Sequence, residues 1–368
     1  MHFVIFSEFI EIKRWWEILC QREMQDRFKM AIIESDVMKA ALDKWVKIYQ
    51  GKAPWVEAQD NSIESFNFAK MICKETARLA TFAMSITVKG SARADWINRF
   101  MNPYITRMKS DICEKACAFG YIILKPNGKG IDYVMPWEFY PTHETEGRVD
   151  GGIFLDRYHE PGDKWYYTRL EWQRFEDISK DVRVYRITNK IYRTTEANGN
   201  GEEIAINQTI WANLQEDVAY ENVRGPLFSI FKMPMSNNID LLSPLGVSIF
   251  SNAQKELKLL DIACTRFQDE MLDGKKTDKA NDVDYLLSLL GVKCGYSPGQ
   301  FVLNGRAGQM AAAQVKADNR ETIQLIKQIR DSLQTATDGL IYALDKYADI
   351  YSLAPVGRYE TVYSIADT

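Results

Sequence analysis

The chain has 368 residues, 46% of them hydrophobic and 12% aromatic, which is enough to build more than one domain with a buried core. This composition excludes an intrinsically disordered chain. Lysine and arginine total 46 against 50 aspartates and glutamates, giving a formal net charge of −4. Proteins that grip duplex DNA through many phosphate contacts are usually basic, so the balance argues against tight, static nucleic-acid binding.

The beginning of the sequence and its cysteines predict a cytosolic protein without membrane association. Six cysteines are scattered through apolar helical stretches, a distribution typical of reduced thiols and not of a disulfide framework. The first residues carry an apolar run too short for a signal peptide, interrupted by Glu8 and Glu11. No uncharged stretch reaches transmembrane length.

Residues 1–118 predict a mostly helical segment. Apolar residues recur at helical spacing over 37–48, where Gly51 and Pro54 end the pattern. A second helix is expected to begin at Ser62, and a third to cover 95–120. From residue 119 to 242 the pattern changes to short β-prone runs separated by turns such as Asn127-Gly128. We therefore predict the α+β class, with an antiparallel β-rich part.

A long helix is predicted over 243–274. Ser243 can cap it, Pro244 suits its first position, and Gly274 can end it. Apolar residues follow in alternating steps of three and four, a narrow heptad seam, while Asp261 and Thr265 fall on other faces. On pattern alone this is typical of a core helix of about 45 Å. The seam comprises Phe250, Ala253, Leu257, Leu260, Cys264, Phe267 and Met271.

The rest of the chain predicts two further helices and a final strand. A polar link over 275–282 leads into a second helix over 283–293, followed by a Gly- and Pro-rich loop. A helix of roughly 43 residues, about 65 Å long, is expected from 309 to 351. Gly339 predicts a bend in it, because glycine weakens a helix interior. The tail over 359–365 alternates like a strand.

Candidate chemical sites are few. Cys113 and Cys117 share one helix face and could bind a metal, but no second pair at ligand spacing accompanies them, so core packing is favoured. His143 and His159 belong to no motif and are interpreted as surface or turn residues. The aromatic cluster over 165–172 could stack nucleobases, although strand residues facing a core explain it better. We predict no catalytic residue, no metal and no cofactor.

Three stretches, in order, resemble the portal proteins of tailed bacteriophages. Residues 42–55 read LDKWVKIYQGKAPW and are similar to the opening signature of the siphophage-type branch. Residues 237–261 read NNIDLLSPLGVSIFSNAQKELKLLD and resemble the entry to the family's stem helix. Residues 285–305 read YLLSLLGVKCGYSPGQFVLNG and resemble the segment leading into its tunnel loop.

The resemblance implies a domain organisation. A wing would cover 1–242, helical over 1–118 and β-rich over 119–242. A stem hairpin would cover 243–295 with a short clip at 273–282, a tunnel loop 296–308, a long wing helix 309–352 and the start of a crown 353–368. The residues implied are Lys275, Lys276 and Lys279 at the clip and channel mouth, Gln300, Arg306 and Gln309 in the tunnel loop, and Phe250, Leu257, Leu260 and Phe267 in stem packing.

The resemblance also implies a function without catalysis. Portal proteins form a homo-oligomeric ring, typically a dodecamer, at one capsid vertex, and double-stranded DNA passes through it during packaging and ejection. The ring contacts the terminase motor, head–tail adaptors, and the major capsid and scaffold proteins. The expected location is the virion, and the host cytoplasm during assembly. The three clip lysines are otherwise an ordinary solvated turn, but repeated around a ring axis they would form a positive rim.

Some features depart from the family, and two alternatives stay open. The clip and second stem helix are short, and residues 309–313 replace the Thr-Ala-Thr-Glu that relatives often carry. One alternative is an enzyme, such as a nuclease or transferase, with a helical cap on a β domain. It would need clustered Asp, Glu and His side chains in the β-rich part. The other is a structural subunit of a secretion or gene-transfer apparatus.

Overall fold

A computed structural model shows a mixed protein, 43% helical and 26% strand, which confirms the α+β class. The chain divides into two compact units. Of the described residues, those before residue 36 and those within 134–228 form a β unit, and those within 36–133 and 229–368 form a helical unit. The structure describes residues 27–29, 31–56, 63–128, 130–180, 182–195, 201–273, 280–301 and 319–365.

The β unit is built on one antiparallel sheet, as the alternating runs and turn signals predicted. Its strand order is β4-β5-β6-β7-β8, and β9 also pairs with β7. The longest hairpin joins β6 and β7, which stay in register over most of their length. The strands are β4 Phe139–Thr145, β5 Arg148–His159, β6 Tyr166–Ser179, β7 Val182–Thr194, β8 Glu202–Ile204 and β9 Asp217–Tyr220.

Two hydrophobic clusters hold this sheet. One joins Phe28 and Ile32 to strand residues including Leu170, with Trp172 packed against it. The other surrounds Trp211, and Tyr167 packs against that one. Two aromatics of the 165–172 cluster, Tyr167 and Trp172, thus pack against hydrophobic clusters.

The described residues of the helical unit include seven α-helices. The first has the predicted amphipathic pattern, and Asn67 and Ser91 cap the second and third by accepting backbone N–H bonds. The helices are α1 Asp36–Tyr49, α2 Phe68–Thr81, α3 Ala92–Pro103, α4 Lys109–Phe119, α5 Gln254–Leu272, α6 Ala280–Lys293 and α7 Arg320–Ile350.

Two small sheets complete the helical unit. In one, β1 (Met84–Lys89) pairs antiparallel with β11 (Glu360–Ile365), which confirms the strand predicted in the tail. In the other, β2 (Tyr121–Pro126) lies between β10 (Ser229–Lys232) and β3 (Ile131–Val134). All six residues of β2 are buried, so it is a core strand.

The second and third helices begin or run differently from the prediction. The second begins at Phe68, because Asn67 caps it; the predicted start, Ser62, lies outside the described residues. The single helix predicted over 95–120 is instead two α-helices joined by the π-helical turn Tyr104–Met108. The turn directly follows Pro103, whose missing N–H and bulky ring disturb the regular hydrogen-bond ladder.

The helix predicted from Ser243 begins about ten residues later. Residues 243–250 are not helical, and one 3₁₀ turn, Ser251–Ala253, precedes α5. The Ser243 hydroxyl accepts the N–H of Leu245, within a local turn. A Cβ on Gly246 would lie 2.2 Å from the carbonyl oxygen of Gly120, so the two backbones touch. This close tertiary contact overrides the local capping pattern.

Helix α7 is the long helix of the prediction, and it begins at Arg320. The segment predicted to form its first turns, 309–318, lies outside the described residues. The helix continues without interruption through Gly339, where a bend was expected. A Cβ at this position would lie 2.5 Å from the hydroxyl oxygen of Ser229. The glycine therefore allows a close approach of β10 to the helix.

Candidate functional site: the α5–α6 hairpin

Helices α5 and α6 form an antiparallel hairpin. Glu256 in the first turn of α5 and Lys293 at the end of α6 form an ion pair, with 2.7 Å between Oε1 and Nζ. The Glu256 side chain is almost completely buried. An ion pair between the start of one helix and the end of the next sets the two helices antiparallel, with these residues at the same height.

The predicted stem-packing residues are buried to different degrees. Leu257 and Leu260 lie in the core, and Phe267 is partly buried. Phe250 is also fully buried, but it precedes the helix and so is not part of a helical seam. Met271, at the far end of α5, is 60% exposed. The seam is therefore buried at the start of α5 and open towards the tip of the hairpin.

Polar side chains of α5 hold the segment that precedes α2. Asp261 accepts hydrogen bonds from Trp55 Nε1 at 2.8 Å and from the backbone N–H of Phe66 at 3.0 Å. One turn on, Thr265 Oγ1 accepts the N–H of Glu64 at 3.0 Å. Burial raises the pKa of Asp261, and these bonds partly offset that rise.

The prediction that Asp261 and Thr265 lie on outer faces was wrong. Both side chains are buried and belong to the packed side of α5. Their spacing of four residues, continuing the buried Leu257 at i+4, was the signal in the sequence. A polar pair on an apolar face indicates partners from another segment, because buried polar groups need hydrogen bonds.

Large apolar side chains remain uncovered on both helices of the hairpin. On α6, Tyr285 is 69% exposed and Val292 44%. On α5, Leu259 is 39% exposed. Scattered exposed apolar residues are ordinary, but these three share two neighbouring helices with the exposed Met271 and Leu272. The hairpin therefore presents an apolar surface that is available to a partner.

The start of the predicted tunnel loop is fixed in the helical unit. Tyr296 and Ser297 are buried. The Tyr296 hydroxyl lies 2.5 Å from Thr76 Oγ1. The backbone N–H of Ser297 donates to Thr322 Oγ1, and the N–H of Thr322 donates to Ser297 Oγ. Gln300 is exposed in the following turn. The adaptable part of the predicted loop can therefore start only beyond Ser297.

Several predicted site residues lie outside the described part of the chain. The clip residues Lys275, Lys276 and Lys279 and the tunnel-loop residues Arg306 and Gln309 all belong to this group. The structure therefore does not test their proposed places, and these assignments stay predictions.

Cys113 and Cys117 are packed in the core, as favoured by the sequence, whereas Cys264 is only partly buried and Cys20 lies outside the described residues. Cys113 and Cys117 are fully buried, together with Cys73 and Cys294. Burial raises the pKa of Cys73 and of Cys117, which keeps both as thiols. Within the described ranges, no group of three or more His, Cys, Asp or Glu residues is arranged to hold a metal ion.

The two histidines lie at the surface of the β unit. His143 Nδ1 is 2.6 Å from Asp150 Oδ1, and Thr145 donates to the other oxygen of the same carboxylate. His159 stacks on Tyr166 with 4.0 Å between ring centres. The carboxylate orients the first imidazole, whose ring is largely exposed on a bulged stretch of β4.

Comparisons with known proteins add no relative. No protein-family model matches the sequence, and no curated protein matches it. Among the helices that the structure describes, none has the length and apolar character to cross a membrane.

Proposed function

We propose that this protein is a portal subunit, which assembles into a ring around a DNA channel at one vertex of a phage capsid. The proposal begins with the three sequence stretches that resemble portal proteins in the expected order. One of them leads into α5 and another runs through most of α6 into the predicted tunnel loop. These two stretches fall on the α5–α6 hairpin, which would correspond to the stem of the portal family.

The observation that carries the proposal is the uncovered apolar surface of this hairpin. Tyr285, Val292 and Leu259 would be covered by neighbouring hairpins in a ring, which would remove their apolar surface from water. Because a ring is built from heterologous contacts, two different faces of the hairpin would be buried at once. A hairpin exposed on both sides suits such an assembly.

The proposed ring acts as a passive conduit. A terminase motor supplies the work, and head–tail adaptors later close the channel at the tip of the stem. Capsid and scaffold proteins surround the wing. The overall acidic balance suits this role, because DNA that must slide should not be held by a cation at every phosphate. Location in the virion belongs to the same proposal.

Particle mass and shape test the proposal. Mass photometry of the purified chain should show a particle of roughly twelve times the 42.4-kDa subunit mass, and negative-stain images should show rings with a central opening. Tyr285→Ser together with Val292→Ser should shift the particles towards monomers. Ile178→Ser and Ile210→Ser, exposed residues of the β unit, provide the matched control. A wild-type chain that stays monomeric at micromolar concentration would contradict the proposal.

A further inference from the structure

The exposed face of α5 is mainly basic with an apolar centre. At about 100° per residue, six side chains fall within an arc of about 100° opposite the buried seam. Three of them are exposed cations, Asp269 is an exposed carboxylate, Leu259 is exposed and Ile262 is partly buried. The cations are Lys255, Lys258 and Arg266.

The exposed face of α6 has the opposite character. Tyr285, Leu289 and Val292 follow at spacings of four and three, so they form one apolar stripe. Asp282 lies at the tip end of this stripe and is exposed. Lys293, at the other end, is already paired with Glu256 in the same chain. The stripe therefore carries one acidic group and no unpaired cation among its described residues.

Arg266 and Asp282 each lack an ion-pair partner within the ranges that the structure describes. The two faces are complementary, since each has an apolar centre and their net charges are opposite, with three cations and one carboxylate on α5 against Asp282 on α6. They lie on different helices, so one copy can offer its α5 face while its neighbour offers the α6 face. Such a heterologous contact can close into a ring.

The register of this contact follows from the hairpin itself. Glu256 and Lys293 lie at the same height. Both helices rise about 1.5 Å per residue in opposite directions. Arg266 lies ten residues beyond Glu256, and Val283 ten residues before Lys293, so Arg266 is level with the turn that contains Asp282. Leu259 lies three residues beyond Glu256, and Leu290 three residues before Lys293, so these two leucines are level. The apolar Leu289 and Val292 are therefore at nearly the same height as Leu259.

Rotation about a ring axis leaves every residue at its own height. When the hairpin lies along that axis, the residues level with each other in one copy are also level between neighbours. No adjustable shift remains, so the heights in a single chain define the contact between two chains. Arg266 of one copy then meets Asp282 of the next, and the apolar centres of the two faces meet above it.

We propose that α5 of one copy packs on α6 of the next in this register, with Arg266 paired to Asp282 across each subunit boundary. The inference rests on the proposed ring and adds the partner faces and their alignment. The apolar centres supply most of the contact area, and the charge pair selects the register, as charges at interfaces generally do.

A charge exchange tests the register. Arg266→Asp and Asp282→Arg should each weaken ring assembly, on the order of tenfold at low salt, because each places like charges at every boundary. The double variant should restore assembly. Lys255→Asp makes the same change of charge on the same face of α5. Because Lys255 is level with the buried Cys294 and not with Asp282, this variant should weaken assembly much less. All three positions are exposed, so circular dichroism should show that each variant folds.

Cross-linking gives an independent readout. Arg266→Cys combined with Asp282→Cys should produce a ladder of covalent oligomers on non-reducing gels, and either single variant should not. The register would be wrong if the wild type forms rings, the double charge exchange fails to restore assembly and no ladder appears. The proposed function would still stand in that case. A wild-type chain that forms no ring at all would overturn both.

Discussion

At the scale of single residues, Asp261 shows how one buried carboxylate joins α5 to a distant segment. It accepts bonds from Trp55 and from the backbone of Phe66. Burial raises its pKa above the ordinary value, so its ionised form is less favoured in the folded protein than in the unfolded chain. The stability that Asp261 contributes is therefore fully present at pH values below its unfolded-state pKa of about 3.9. It is lost as the pH rises through the pKa of the folded state.

The variant Asp261→Asn should remove this pH dependence. It should also lower the free energy of unfolding by about 1–3 kcal/mol at acid pH, because the amide can accept only one of the two hydrogen bonds. This loss should shrink as pH rises, because the variant has no buried charge. Urea unfolding from about pH 4 to pH 7 measures both effects. Asp269→Asn, an exposed position on the same helix, is the control. An Asp261→Asn curve parallel to that of the wild type would contradict the assignment.

Leu260 and Phe267 test the packing of the α5 seam within one subunit. Leu260 is fully buried, so Leu260→Ala should cost about 2–5 kcal/mol of stability. Phe267 lies on the same side of the helix and is only partly buried, so Phe267→Ala should cost less. Chemical denaturation of the two variants measures both losses. Equal losses would count against a seam that is buried at the start of α5 and opens towards the tip.

At the scale of elements, the sequence predicted those structures whose pattern is local. Helices α1 and α7 were predictable because apolar residues recur at helical spacing over many turns. The start at Ser243 was wrong because its capping residues are local signals, whereas Gly246 touches Gly120 through a contact distant in sequence. Strand β1 was not predicted, although buried and exposed residues alternate along all six of its positions.

The contact of Gly246 with Gly120 makes a direct prediction. Gly246→Ala places a Cβ within 2.2 Å of a backbone oxygen, so the loop or α4 must shift. We expect a destabilisation of about 1–3 kcal/mol, as for other overpacked sites. Gly130→Ala is the control, since its Cβ would meet nothing within 4 Å. Thermal unfolding of the two variants provides the comparison, and equal midpoints would show that the two backbones are not in contact.

At the scale of the whole molecule, the sequence located the candidate site better than it described its surface. The hairpin was predicted from the two helices and the polar link. The sequence could not show which faces of the hairpin stay exposed. Asp261 lies on the same helix as the seam residues, and only its partners from a distant segment show that its side is covered. The uncovered Tyr285 and Val292 became evident only from the fold.

The lysines of the predicted clip are expected to act in the assembled ring, because their positive charge becomes dense only when many subunits surround one axis. Replacing Lys275, Lys276 and Lys279 by Glu should impair DNA packaging while rings still form, because a positive rim would become negative. A packaging assay with purified motor and heads measures this. The same exchange at three exposed lysines elsewhere should leave packaging unchanged. These controls are Lys52, Lys70 and Lys74. Unchanged packaging by the clip variant would remove the electrostatic part of the proposal.

Electron cryomicroscopy of the assembled protein tests the central claim most directly. The account predicts a closed ring in which the α5–α6 hairpins surround the central opening, with α5 of each copy against α6 of the next. Tyr285 and Val292 should be covered by a neighbouring subunit. A map in which the hairpins lie on the outer rim, or in which these side chains stay exposed, would contradict the proposed function.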